Sequence, residues 1–262
     1  MCTLSVLRLS NLLVITMNRD EARSRHEAGL KQQQKNGVEL LCPIDGQAGG
    51  TWFGVNNHGV VLALLNRYQD PQSVGAPTRG NIIPQALAYG EVRLVKKHLS
   101  EQNYQYYNPF DLLLISSAEC LHLSWNGRHL SLHNVSQAAL LLSSSALNTE
   151  AVLAKRQARF QQWLTQSPEL SATEVLHKIH LQHDLGNRGD SVLMDRSDAH
   201  SKSICQVLLD ADCCEFNYYP EASLQQWRGH ITDGKSPFVN PQLNKQQRLL
   251  ALQSPTLLNA YS

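Results

Sequence analysis

A layered α+β fold built from antiparallel sheets is predicted by three observations. Segments with strand character and segments with helical spacing come in blocks (strands, helices, strands, helices, strands), the strands are joined as hairpins by short turns, and the regular βαβ alternation of a doubly wound parallel sheet is missing. A chain of 262 residues with 42% hydrophobic content can bury one sizeable core. No interdomain linker is visible, so one domain over residues 1–235 is expected, with residues 236–262 as a C-terminal tail docked on it.

Thr3–Leu9 and Leu12–Met17 are rich in Leu, Val, Ile and Thr and flank Ser10-Asn11, so they read as a first hairpin. Pairing about that turn sets position 2 opposite position 19. A second hairpin is expected at Thr51–Val55 and Val60–Leu65, where Asn56-Asn57-His58-Gly59 tolerate positive φ. Gly80–Gln102 has helical spacing of apolar residues, with Pro84 tolerable near a first turn and Gly90 a break, hence two short helices or one broken one. Leu112–Ser117, Cys120–Trp125 and Arg128–His133 read as strands, the last two joined at Asn126-Gly127, and Leu140-Leu141-Leu142 as a buried strand. Helices follow at Thr149–Thr165 and Ala172–His183, the second opened by a capping box from Ser171 to Glu174. Ser203–Asp210 and Glu215–Tyr219 are expected strands. Arg248–Leu252 is the one Leu-rich segment of the tail, set among Pro237, Pro241 and Pro255.

Charge excludes several function classes. With 23 Lys+Arg against 22 Asp+Glu and no long run of either sign, the chain has no footprint for nucleic acid or a polybasic membrane contact. Thr3–Met17 is interrupted by Arg8 and Ser10-Asn11, which excludes a membrane span, and the features of a signal peptide are missing, so a cytoplasmic protein is expected. The six cysteines lack CxxC spacing, which argues against a disulfide framework or a zinc site; neither metal nor cofactor is expected.

One cysteine stands apart. Methionine aminopeptidases remove Met1 before a small second residue, and Cys2 meets that condition. A terminal cysteine carries its own base, since an α-amine of pKa about 8 can take the proton of a thiol of pKa about 8.5. Arg19, across the hairpin, would favour the thiolate and orient a substrate carbonyl or carboxylate, and Asp20 would hold the α-amine.

The Met1-Cys2 start, Asn18-Arg19-Asp20-Glu21, Gly49-Gly50-Thr51-Trp52-Phe53-Gly54 and Leu65-Asn66-Arg67 together resemble the NRDE family, also called the transport and Golgi organisation 2 family. The resemblance extends more loosely through Arg79-Gly80, Ser143-Ser144-Ser145 and the segment Ser191 to Ala199, over roughly residues 1 to 220. It implies a branch of the N-terminal nucleophile hydrolases, whose fold is a four-layered αββα sandwich and whose chemistry is amide hydrolysis. By that resemblance Cys2 is nucleophile and base, Arg19 and Asp20 support it, and Asn66 donates to an oxyanion. Two departures concern substrate-binding residues. Many members carry Leu-Ser-Asn-Ala where this chain has Ser143-Ser144-Ser145-Ala146, leaving Ser144 and Ser145 as hydroxyl donors. A Thr-Arg-Ser/Thr stretch is replaced by Ser201-Lys202-Ser203, leaving either Lys202 or Arg196 as the late basic residue.

The expected function is a cysteine amidohydrolase cleaving a linear carbon–nitrogen bond of a small metabolite. The alternative is a non-catalytic carrier on the same scaffold, binding a ligand such as heme through Cys2 or a histidine; no Cys-Pro heme-regulatory motif is present. Other features read structurally: Gly49-Gly50-Thr51-Trp52 lacks a phosphate-loop pattern and marks the tight start of a strand, His177, His180 and His183 drift around a helix as a solvated or half-buried face, and one of Cys213 and Cys214 is core.

Overall fold

The Ser10-Asn11 turn closes the hairpin in the expected register. In the computed structural model of the chain, which describes residues 1–167, 170–184, 186–232 and 245–253, β1 (Cys2–Arg8) pairs antiparallel with β2 (Leu13–Ala22), and Cys2 stands opposite Arg19. The remaining strands are β3 (Glu27–Lys35), β4 (Val38–Asp45), β5 (Phe53–Asn56), β6 (Val61–Asn66), β7 (Phe110–Ile115), β8 (Cys120–Trp125), β9 (Leu130–Asn134), β10 (Ala139–Ser144), β11 (Ala199–Leu209), β12 (Cys213–Tyr219) and β13 (Gln246–Ala251). Among the described residues they form a six-stranded sheet, β10-β1-β2-β11-β12-β13, and a seven-stranded sheet, β3-β4-β5-β6-β7-β8-β9, every neighbouring pair antiparallel.

Alternation of side chains builds the layers. Leu4, Val6, Ile15 and Met17 of the first sheet meet Phe53, Val55, Val61 and Leu113 of the second in an inter-sheet core, where the Phe53 and Phe216 rings meet edge to face at 5.6 Å. The opposite face of the seven-stranded sheet packs Leu40, Leu62 and Leu112 against α1 (Ile82–Leu87) and α2 (Val92–Glu101). On the outer face of the six-stranded sheet, Leu7, Val14 and Leu141 meet Phe160 and Trp163 of α3 (Thr149–Gln166) and Val175 of α4 (Ala172–Val175). The result is the αββα sandwich. Truncating such a core leucine to alanine costs about 2–5 kcal/mol.

Local chemistry explains the connections. Gly90, at φ 73°, separates α1 from α2, and the Asn56 amide donates to the Leu87 and Gly90 carbonyls while its oxygen accepts from His58 N and Val60 N. Ser171 Oγ accepts from Glu174 N as the capping box requires. Gly50 is needed for a close approach: a Cβ there would sit 2.7 Å from Gly80 Cα, and Thr51 N donates to Gly80 O at 2.9 Å.

The elements differ from expectation in several places. β2 continues past Met17 to Ala22, so Asn18-Arg19-Asp20-Glu21 lies inside a strand, paired with β11. Residues 27–45 form a full hairpin, because β3 is a polar edge strand whose Gln32-Gln33-Gln34 tract hides the alternation. The second of the late helices is only Ala172–Val175 followed by a π-helical turn, Leu176–His180, and α5 (Glu221–Thr232) went unforeseen. The β8–β9 hairpin turns at Gly127-Arg128 and not at Asn126-Gly127, since Trp125 pairs with Leu130 and Asn126 N donates to His129 O. Of the tail, β13 adds to β12 at the sheet edge, while residues 236–244 and 254–262, with Pro237, Pro241 and Pro255, lie outside the described residues. Among the described residues, no helix is long and apolar enough to cross a membrane.

Candidate active site

β1 and β2 end side by side at one rim of the sandwich, and alternation turns Cys2 and Arg19 toward the space between the sheets. A cavity of about 310 Å³ opens there, lined by Met1, Cys2, Arg19, Asp20, Asp45, Trp52, Asn66 and Arg79 among others. Cys2 N donates to Ser144 Oγ at 3.0 Å, through the pairing of β1 with β10. The Met1 ammonium donates to Asp20 O at 2.9 Å and Tyr68 Oη at 3.3 Å, and the Met1 carbonyl accepts from Asp20 N at 2.8 Å. Burial works to lower the pKa of that ammonium, but the Cys2, Tyr68 and Asp20 charges outweigh it and hold it above the ordinary value.

The sequence placed Arg19 beside the thiol as its electrostatic partner. Arg19 stands opposite Cys2, and its guanidinium is also engaged by carboxylates, donating to Glu27 Oε1 at 2.8 Å and to Asp45 Oδ2, and it lies 4.3 Å over the Trp52 ring. Glu27 is in turn held by Ser203 Oγ at 3.0 Å and by the Tyr218 hydroxyl. Asp45 also receives Arg25 Nε at 2.7 Å; burial pushes its carboxyl up, and the Ala48 N–H together with Arg25 and Arg19 overcomes this and holds it below the carboxylate range. With Arg19 so committed, burial dominates at Cys2 and pushes the thiol up, against the lowering influence of the terminal ammonium and Arg19.

Asp20 takes its side chain to the other face. Its Oδ1 accepts from Ser201 Oγ at 2.6 Å, and its Oδ2 is 3.9 Å from Arg156 Nη2 with no hydrogen-bond partner among the described residues. Asn66 Nδ2 donates to Tyr68 Oη at 3.0 Å and borders the cavity. The other four candidates lie outside the cavity lining. Ser144 is bound to the Cys2 nitrogen. Ser145 gives its proton to Leu147 O at 2.7 Å, and Arg196 pairs with Asp198; both touch Met1 Sδ, at 3.8 and 3.6 Å. Lys202 is the extra residue of a β-bulge between Ser201 and Ser203, which turns its ammonium away to Glu221 at 3.0 Å and the Arg23 carbonyl at 2.7 Å.

Sequence reasoning missed Glu27, Asp45, Arg25 and Tyr68. The first two lie on the unpredicted β3–β4 hairpin; Tyr68 could have been found, two residues beyond Asn66 at the end of β6. Among the described residues the cavity wall has no histidine and carries three arginines and three carboxylates, which does not suit the apolar slot that a porphyrin face needs. The three helix histidines diverge: His180 is fully buried, His183 Nδ1 meets Leu193 O at 3.0 Å, and His177 packs on Trp227.

Comparison with solved structures shows the fold. A Caenorhabditis elegans ortholog of N-acylethanolamine-hydrolyzing acid amidase superposes with a TM-score of 0.53 at 14% identity, over 78% of this chain and 92% of that one. A mutant conjugated bile acid hydrolase from Clostridium perfringens gives 0.52 at 13% identity, over 97% of both chains. The chain therefore shares the fold of these hydrolases, an αββα sandwich of the N-terminal nucleophile hydrolase-like type. In sequence, the mouse transport and Golgi organization 2 homolog is 32% identical over 106 residues, a stretch spanning 38% of this chain and 37% of that protein. The family model described as Transport and Golgi organisation 2 matches residues 1–214, and on that match over most of its length this chain belongs to that family.

Proposed function

We propose that the chain, after loss of Met1, is a cysteine amidohydrolase acting on a linear carbon–nitrogen bond of a small molecule. One observation carries the reading: the backbone nitrogen that would become the α-amine belongs to the same residue as a thiol facing the cavity, and Ser144 Oγ already receives it at 3.0 Å. Loss of Met1 would also free Asp20 N–H, now engaged by the Met1 carbonyl, as a donor beside Cys2. Asp20 Oδ2, buried with no hydrogen bond among the described residues and 3.9 Å from Arg156 Nη2, would accept a second proton of the new ammonium.

The α-amine takes the thiol proton, and the sulfur attacks the substrate carbonyl carbon. Asp20 N–H and Asn66 Nδ2 donate to the developing oxyanion. The carbon–nitrogen bond breaks as the ammonium returns its proton to the leaving amine; water, deprotonated by the same amine, then cleaves the thioester and releases the acid. The intact mass of protein from a bacterial cytosol should lack Met1, and a panel of acyl-aminocoumarins should be turned over by it and not by Cys2→Ala. Retained Met1, or turnover unchanged in Cys2→Ala, would overturn the reading.

A further inference from the structure

Three arginines line the cavity, and two are neutralised within it: Arg19 by Glu27 and Asp45, Arg25 by Asp45 at 2.7 Å and Glu21 at 3.7 Å. Arg79 differs. It has no carboxylate within ion-pairing distance among the described residues, and its one hydrogen bond there runs from Nη1 to Pro109 O at 2.7 Å. Arg79 is partly buried, and a cation withdrawn from water without a counter-charge is costly. The rim is nonetheless built to hold it there. Arg79 opens a short 3₁₀ turn, Arg79–Asn81, capped by Thr78 Oγ1 accepting from Gly80 N. That turn is interlocked with the opposite wall, since Gly80 O accepts from Thr51 N and a Cβ on Gly80 would stand 2.9 Å from Gly50 Cα.

We infer that Arg79 receives a carboxylate of the substrate, so that the substrates are small amides bearing a carboxylate. A guanidinium has five N–H donors in a planar fork that matches a carboxylate two at a time, and only one is used here. The carboxylate takes no part in bond breaking; it anchors the molecule with its amide toward Cys2. This inference rests on the cavity being the hydrolytic site, and the two fail separately. Isothermal titration of the processed full chain with glutarate and with glutaramide should show the dicarboxylate binding about tenfold or more tightly, the order expected for charge-assisted hydrogen bonds. Arg79→Gln should erase that margin and Arg79→Lys keep part of it, with melting curves confirming that both variants fold. Should Arg79→Gln not fold, protection of Cys2 from iodoacetamide by glutarate and not by glutaramide decides the matter in the wild type. Equal binding of the two probes, binding of neither, or an undiminished margin in Arg79→Gln would overturn the carboxylate assignment. Failure of iodoacetamide to modify Cys2 ahead of the other cysteines would instead count against the hydrolase reading, whatever glutarate does.

Discussion

The two faces of the β1–β2 ladder carry polar residues to similar depth, yet they end in opposite conditions. On the outer face Asn18 donates to the His180 and Val192 carbonyls and accepts from His180 Nδ1, Ser5 meets His180 Nε2 at 2.7 Å, and Arg156 bonds Thr3 Oγ1 and the Asp190 and Ser191 carbonyls. Because Asn18 gives both protons to carbonyls, its oxygen must accept; His180 is then the neutral Nδ1–H tautomer and Ser5 the donor to Nε2. Among the described residues, the outward polar side chains of β1 and β2 are all hydrogen-bonded apart from Asp20 Oδ2, which faces Arg156. The inner face opens on a cavity and leaves chemical capacity unused: a thiol, a nitrogen held by one hydroxyl and, across the cavity, Arg79 with no carboxylate in ion-pairing distance among the described residues. Buried polarity alone therefore does not mark a site. Unfilled hydrogen-bonding capacity beside solvent-accessible volume does.

Removing the charge that closes the outer face should have the largest effect. Arg156→Ala leaves Asp20 buried without its cation and should cost about 3–5 kcal/mol in urea unfolding; a loss under about 1 kcal/mol would show that this face is not held by charge. Next comes His180, whose pKa burial depresses to about 3. The unfolded chain binds a proton there near pH 6.5 and the folded chain does not, so stability is present above that pH and is lost as pH falls toward 3. The contribution is about 1.4 kcal/mol per pH unit, and His180→Gln should flatten that part of the profile.

On the inner face the effects should fall on reactivity. In the processed chain Cys2 should be alkylated ahead of Cys42, Cys120 and Cys214, which burial pushes to about 12, 11 and 12, and Arg19→Ala should slow its labelling about tenfold by exposing it to unbalanced carboxylates. Equal labelling of all cysteines would erase the contrast between the faces. The smallest stability effect belongs to Asn66→Ala, under about 1 kcal/mol because its amide bonds one hydroxyl at the rim. Amide turnover by that variant should nonetheless drop about a hundredfold if Asn66 serves the oxyanion.

Local chemistry in the sequence was enough to register β1 against β2, since a two-residue turn and period-two alternation leave one pairing that buries Leu4, Ile15 and Met17 together; the Cys2–Arg19 juxtaposition follows from that alone. The Gly90 break and the Ser171 cap were legible for the same reason, being decided within a few residues. What Arg19 does was decided elsewhere. Its carboxylates come from β3 and β4, a hairpin whose outer strand is too polar to declare itself, and Lys202 is diverted by a bulge that exists only because β11 pairs with β2. The isolation of Arg79 likewise depends on which loops meet at Gly50 and Gly80. Strand register is a local quantity carried by pattern, whereas charge balance in a cavity is a sum over segments brought together by the fold, and no stretch of sequence contains that sum.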